Sequence, residues 1–93
     1  MIKIKIDREN LSLTVMGHAD YAEHGKDIVC AGVSALVNTL AYYAQNNGGH
    51  GDVQPGYAEI DIPYTEKSAE VFNAISDGLE GIGQAYDERV CLT

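Results

Sequence analysis

One stretch of this chain groups the residue types that covalent catalysis needs. Gly17-His18-Ala19 is followed by Gly25, then by Asp27-Ile28-Val29-Cys30-Ala31-Gly32-Val33-Ser34. A thiol attacks as its thiolate, and its proton needs a base that works near neutral pH, the natural task of an imidazole. Asp27 is a good N-cap, so Cys30 falls in the first turn of the helix that follows. Unpaired backbone N–H groups and about half a positive charge collect there, and both favour the thiolate. The same N–H groups could hold an oxyanion growing on an attacked carbonyl. Gly32 keeps the approach uncluttered. Ser34 lies one turn beyond Cys30 on the same helical face, able to bond within the site or back to the preceding turn.

His18 is the first candidate for the base, and Gly17 can bend the chain sharply just before it. By strict alternation His18 shares the polar face of Ser12 and Thr14. It reaches Cys30 only if Gly17 breaks that alternation or the site lies at the end of the sheet. The plainer readings are a small buried cysteine and a surface histidine. His24 is a rival base, and His50 is expected to be exposed. A metal site from His18, His24 and Cys30 matches no familiar ligand spacing. Neither a metal nor a cofactor is expected. Cys91 reads as structural, and two cysteines this far apart make neither a zinc ribbon nor, in a reducing cytosol, a disulfide framework.

The elements that position these residues follow from periodicity. Ile2, Ile4 and Ile6 alternate with Lys3 and Lys5, and Leu11, Leu13 and Val15 alternate with Ser12, Thr14 and Met16. A polar turn at Asp7-Arg8-Glu9-Asn10 makes the two strands a hairpin. Residues 19–26 carry no strong periodicity. From Asp27, Val29, Val33, Leu36, Leu40 and Tyr43 recur at helical spacing to about Gln45, stopped by Asn46-Asn47-Gly48-Gly49. The glycine-rich stretch 46–56 reads as a mobile loop, and Tyr57 to Pro63 as a third strand. Thr65 can cap a second helix that buries Val71, Phe72, Ile75, Leu79 and Ile82. Gly78, Gly81 and Gly83 each cost that helix about 1 kcal/mol relative to Ala; they either permit close packing against a strand or a second subunit or, the expected reading, end the helix early. Val90 and Leu92 mark a short last strand. The expected fold is α+β in the order ββαβαβ, with two helices on one face of a mixed, largely antiparallel four-stranded sheet.

The 93 residues suffice for one domain, taken as 1–93. Hydrophobic residues at 45% and charged residues at 22% argue against a disordered chain. No apolar run approaches the roughly 20 residues of a membrane span, and the alternating amino terminus is no signal peptide. The expected location is cytoplasmic. With 6 basic against 14 acidic residues the net charge is −8. That balance disfavours nucleic-acid phosphates and suits a basic partner, or simply keeps the protein in solution.

The run from Gly17 to Ser34, with Tyr21, Gly25 and the histidine-to-cysteine step, resembles the signature of the ribosomal-processing cysteine protease (Prp) family. Chain length, element order and acidic balance agree with it. The resemblance implies a cytoplasmic, homodimeric endopeptidase that removes the amino-terminal extension of large-subunit ribosomal protein twenty-seven, cutting after an aromatic residue. It implies Cys30 as nucleophile and His18 as general base, with Ser34 and Asp27 in support. The segment between them would be a mobile flap hinged at Gly25. The rivals are a non-enzymatic ribosome-associated module, a related protease with another substrate (a prophage protein, for example) and a thiol redox or acyl-transfer protein.

Overall fold

The computed structural model describes residues 1–23 and 26–93; His24 and Gly25, the rival base and the expected hinge, lie outside the described residues. Strands β1 (Ile2–Asp7) and β2 (Ser12–Met16) form the expected antiparallel hairpin, pairing Ile4 with Val15 and Ile6 with Leu13. Asp7 shapes its turn by accepting the N–H groups of Glu9 and Asn10, each at 3.1 Å. Helix α1 (Ile28–Asn46) follows, capped by Asp27. Then come β3 (His50–Gln54), β4 (Tyr57–Asp61), α2 (Glu66–Ala85) and β5 (Val90–Leu92).

The sheet order is β3-β4-β2-β1-β5, antiparallel throughout except for β1 beside β5. The α+β class and the mixed, largely antiparallel sheet stand as read. The element order is ββαββαβ rather than ββαβαβ, because the stretch 46–56 contains a strand. Its periodicity is masked by Gly51, which lies against α1 so closely that a Cβ there would come within 2.8 Å of the Ala41 carbonyl oxygen. A glycine that marks close approach of two backbones in a strand therefore looked like loop composition.

The second correction concerns α2, which does not end at its glycines. A Cβ at Gly78 would meet Leu36 of α1 at 3.0 Å, and one at Gly83 would meet Leu92 of β5 at 2.7 Å. Both are contact points of the helix with its neighbours. Burial of Phe72 and Leu79 outweighs the propensity cost of the glycines.

Both helices cover one sheet face, where Ile2, Ile4, Leu13, Val15, Ala58 and Ile60 are buried. By length and composition alone α1 is apolar enough to cross a bilayer. Val29, Val33, Val37, Leu40, Ala41 and Ala44 are instead buried in this core.

Candidate active site

Asp27 builds the start of α1. Its Oδ1 accepts the N–H groups of Val29 at 3.0 Å and Cys30 at 2.9 Å, and its main-chain carbonyl accepts that of Ala31 at 3.0 Å. Its Oδ2 accepts the Tyr21 N–H at 2.9 Å, so the carboxylate ties the preceding segment to the helix. The Cys30 N–H is the main reason this carboxyl titrates below the ordinary value of 3.8; burial opposes the effect and the Tyr21 N–H adds to it. The segment is held from its other side as well. Arg89 donates to the Asp20 carbonyl at 2.8 Å, and the rings of Tyr21 and Tyr86 meet edge to face at 5.4 Å.

This arrangement changes the expected source of oxyanion donors. The N–H groups of Val29 and Cys30 are already bonded to Asp27. The donor aimed at the Cys30 sulfur is the Ala19 N–H, 3.2 Å away. Gly32 does not face the sulfur's approach either; a Cβ there would sit 3.3 Å from Ile82 of α2, so this glycine lets the helices close.

His18 lies just past β2, which ends at Met16, and Gly17 has φ +94°. A Cβ at Gly17 would overlap the Met1 carbonyl oxygen, so glycine is required by both conformation and space. The chain leaves the strand here, at the end of the sheet, and both conditions for freeing His18 from the polar face hold. The Gly17 N–H bonds the Gly56 carbonyl at 2.9 Å, and the imidazole rests over Gly56 in the β3–β4 turn.

Cys30, His18 and Ser34 open on one cleft of about 670 Å³, which Val33, Val37 and Val53 help to line. Cys30 is half-buried and His18 is exposed. Among the described residues no hydrogen bond joins the imidazole to the sulfur in this conformation, and no group of three or more His, Cys, Asp or Glu side chains is placed to hold a metal. His50 is exposed on β3, as expected, and Cys91 is half-buried on β5, paired in register with Lys3. Sequence reasoning placed Ala19 in the motif without a role of its own, and missed Gly56 and Val53. Ala19 and Gly56 contribute through the main chain, which leaves no residue-type signature, and the single available signal was the Pro55-Gly56 turn pair.

A cysteine, an imidazole and a main-chain donor on one apolar cleft are the components of thiol acyl transfer. The family profile described as cysteine protease Prp matches residues 1–91. The chain belongs to this family. A Mycoplasma genitalium relative named ribosomal processing cysteine protease Prp is 32% identical over 99% of this chain and 94% of its own length. A Bacillus subtilis protein of the same name is 58% identical over 31 residues, which are 33% of this chain and 28% of that one. Among solved structures, the Prp of S. aureus with a covalently linked product peptide superposes with a TM-score of 0.79. It is 24% identical, and the match covers 99% of this chain and 95% of that one. A Streptococcus mutans protein gives a TM-score of 0.73 at 27% identity, covering 99% and 90%. The chain is thus a Prp-family cysteine protease, and the α+β architecture is that of the S. aureus Prp.

Proposed function

We propose that this protein is a cytoplasmic endopeptidase that removes the amino-terminal extension of large-subunit ribosomal protein twenty-seven, with Cys30 and His18 as a catalytic dyad. The observation that carries the reading is the opening of both side chains on one cleft, with a main-chain N–H on the sulfur. The names of the Mycoplasma genitalium and Bacillus subtilis relatives support ribosomal processing. The net charge of −8 favours encounter with a basic substrate. A homodimer is the assembly expected from the family resemblance.

The reaction is acyl transfer. His18 takes the thiol proton, and the Cys30 sulfur bonds to the scissile carbonyl carbon. The carbonyl oxygen becomes an oxyanion, for which the Ala19 N–H, already beside the sulfur, is the main-chain donor at hand. Collapse of this intermediate breaks the C–N bond, and His18 gives its proton to the leaving amine. Water, deprotonated by His18, then attacks the thioester. The C–S bond breaks, the acid product leaves and the thiol is restored. Ser34 polarises the cleft and Asp27 fixes the nucleophile's helix.

The test is mass spectrometry of the extended ribosomal protein after incubation with the wild-type, Cys30→Ala and His18→Ala proteins. Wild type should release one amino-terminal fragment. Both variants should release none, or about 10²-fold less for His18→Ala. Cleavage by Cys30→Ala would exclude this cysteine as nucleophile, and an intact substrate with wild type would exclude the substrate. Iodoacetamide alkylation of Cys30 well below pH 8 separates the protease from a non-enzymatic module, in which the thiol would be inert.

A further inference from the structure

Strand β3 ends the sheet, so among the described residues one of its edges has no strand beside it. Its ladder phase follows from the turn. Pro55 and Gly56 connect Gln54 to Tyr57, and a two-residue connection makes the flanking residues a hydrogen-bonded pair. Hydrogen-bonded and non-bonded pairs alternate along an antiparallel ladder. The Val53–Ala58 pair is then non-bonded, and the N–H and C=O of Val53 point away from β4. Gly51 shares that phase, and its carbonyl is indeed taken from outside the ladder, by the Gln45 side chain of α1 at 2.8 Å. Among the described residues, no side chain closes off Val53 in this way.

The position of this open edge matters. Val53 lines the cleft that holds Cys30, and it also lines a groove of about 320 Å³ between β3 and the Asn38, Tyr42 and Gln45 face of α1. The residue remains 39% exposed. Groove and cleft therefore share Val53 as a lining residue. What matches a donor and an acceptor spaced along a strand is another extended backbone.

We propose that an extended segment of the peptide substrate adds to the outer edge of β3, pairing its backbone with the N–H and C=O of Val53 while its scissile bond lies at Cys30. This rests on the protease reading above and supplies what that reading lacks, a sequence-independent element that aligns the chain to be cut. Specificity then falls to the side chains on either side of the paired residue.

The experiment combines Val53→Pro with N-methylation of the substrate. Proline is tolerated on an edge strand where its nitrogen faces outward, so the variant should fold, which its thermal midpoint checks. On a synthetic peptide copying the extension, Val53→Pro should lower kcat/KM up to about tenfold, the loss of the one hydrogen bond its N–H would give. N-methylating the peptide amides one at a time should reveal one position whose loss with wild type is of similar size. That loss should be smaller against Val53→Pro, which keeps the Val53 carbonyl but has lost the other bond of the same backbone pair. In the Cys30→Ala protein, addition of the unmodified peptide should slow hydrogen exchange at the Val53 amide.

If wild type cleaves, Cys30→Ala does not, and neither Val53→Pro nor any N-methyl peptide changes the rate, the edge pairing is wrong while the dyad stands. A Val53→Pro protein that cleaves normally but no longer dimerises would overturn the proposal in favour of edge pairing between two copies. If wild type cuts nothing and the Val53 amide is unprotected, both readings fall. Should Val53→Pro not fold, the N-methyl series on wild type and the exchange measurement still decide.

Discussion

Asp27 shows how much one carboxylate can organise. The same side chain caps the helix that carries Cys30 and accepts the main-chain N–H of Tyr21. Asp27→Asn keeps an oxygen for the helix N–H groups, but its amide nitrogen cannot accept from Tyr21, so segment 19–22 should loosen and kcat/KM should fall. The carboxyl's folded pKa lies below 3.8, chiefly through the Cys30 N–H. Stability from such a group is present above its unfolded pKa and is lost as pH falls through the folded value. The Asp27→Asn protein should therefore melt lower than wild type at pH 7, and the gap should narrow below about pH 4. Thermal unfolding at pH 7 and pH 3 checks this; an unchanged gap would remove the charge from the explanation. The cap was legible in the sequence because Asp27 precedes an apolar helical repeat. The bond to Tyr21 was not, since nothing in a sequence says where an aperiodic segment's N–H groups point.

Legibility at the scale of elements followed the same division between local pattern and long-range contact. The β1–β2 hairpin and α1 were read because alternation and a 3.6-residue repeat are local signals. Strand β3 and the full length of α2 were not, because Gly51, Gly78 and Gly83 answer to neighbours distant in sequence. The β3–β4 turn matters for the site, since Gly56 has φ +73° and a Cβ there would lie 2.9 Å from His18 Nε2. Gly56→Ala should cost about 1 kcal/mol or more through left-handed strain and should displace the imidazole, lowering peptide cleavage. Gly81 provides the contrast. It is exposed, none of the described residues lies within 4 Å of its Cβ position, and it sits inside α2 away from the cleft. Gly81→Ala should add about 1 kcal/mol of stability and leave cleavage unchanged. Urea unfolding and peptide kinetics on both variants separate turn geometry from general stability. Equal effects on activity would refute the role given to the turn.

Across the whole molecule the sheet is polarised. The cleft lies where β2 ends and β1 begins, and the β1–β2 turn occupies the opposite end. There Arg8 reaches α2, donating to Asn73 and Asp77 at 2.9 Å and to Glu80 at 3.1 Å. In the sequence Arg8 read only as part of a polar turn, because its partners on α2 lie some seventy positions away. Arg8 is 35% exposed and its carboxylate partners more so, so screening limits what the cluster contributes. In a chain of net charge −8 the guanidinium also offsets crowding of acidic groups on α2. Arg8→Met keeps the apolar stem and removes only the charge and the hydrogen bonds. It should lower stability by about 1 kcal/mol or less at low ionic strength, and less still in 1 M salt, where charges are screened within about 3 Å. Peptide cleavage at either salt concentration should match wild type, because nothing in this tether touches the cleft. A loss of activity in the folded Arg8→Met protein would show that the sheet transmits strain along its length, and the separation of a structural end from a chemical end would have to be abandoned.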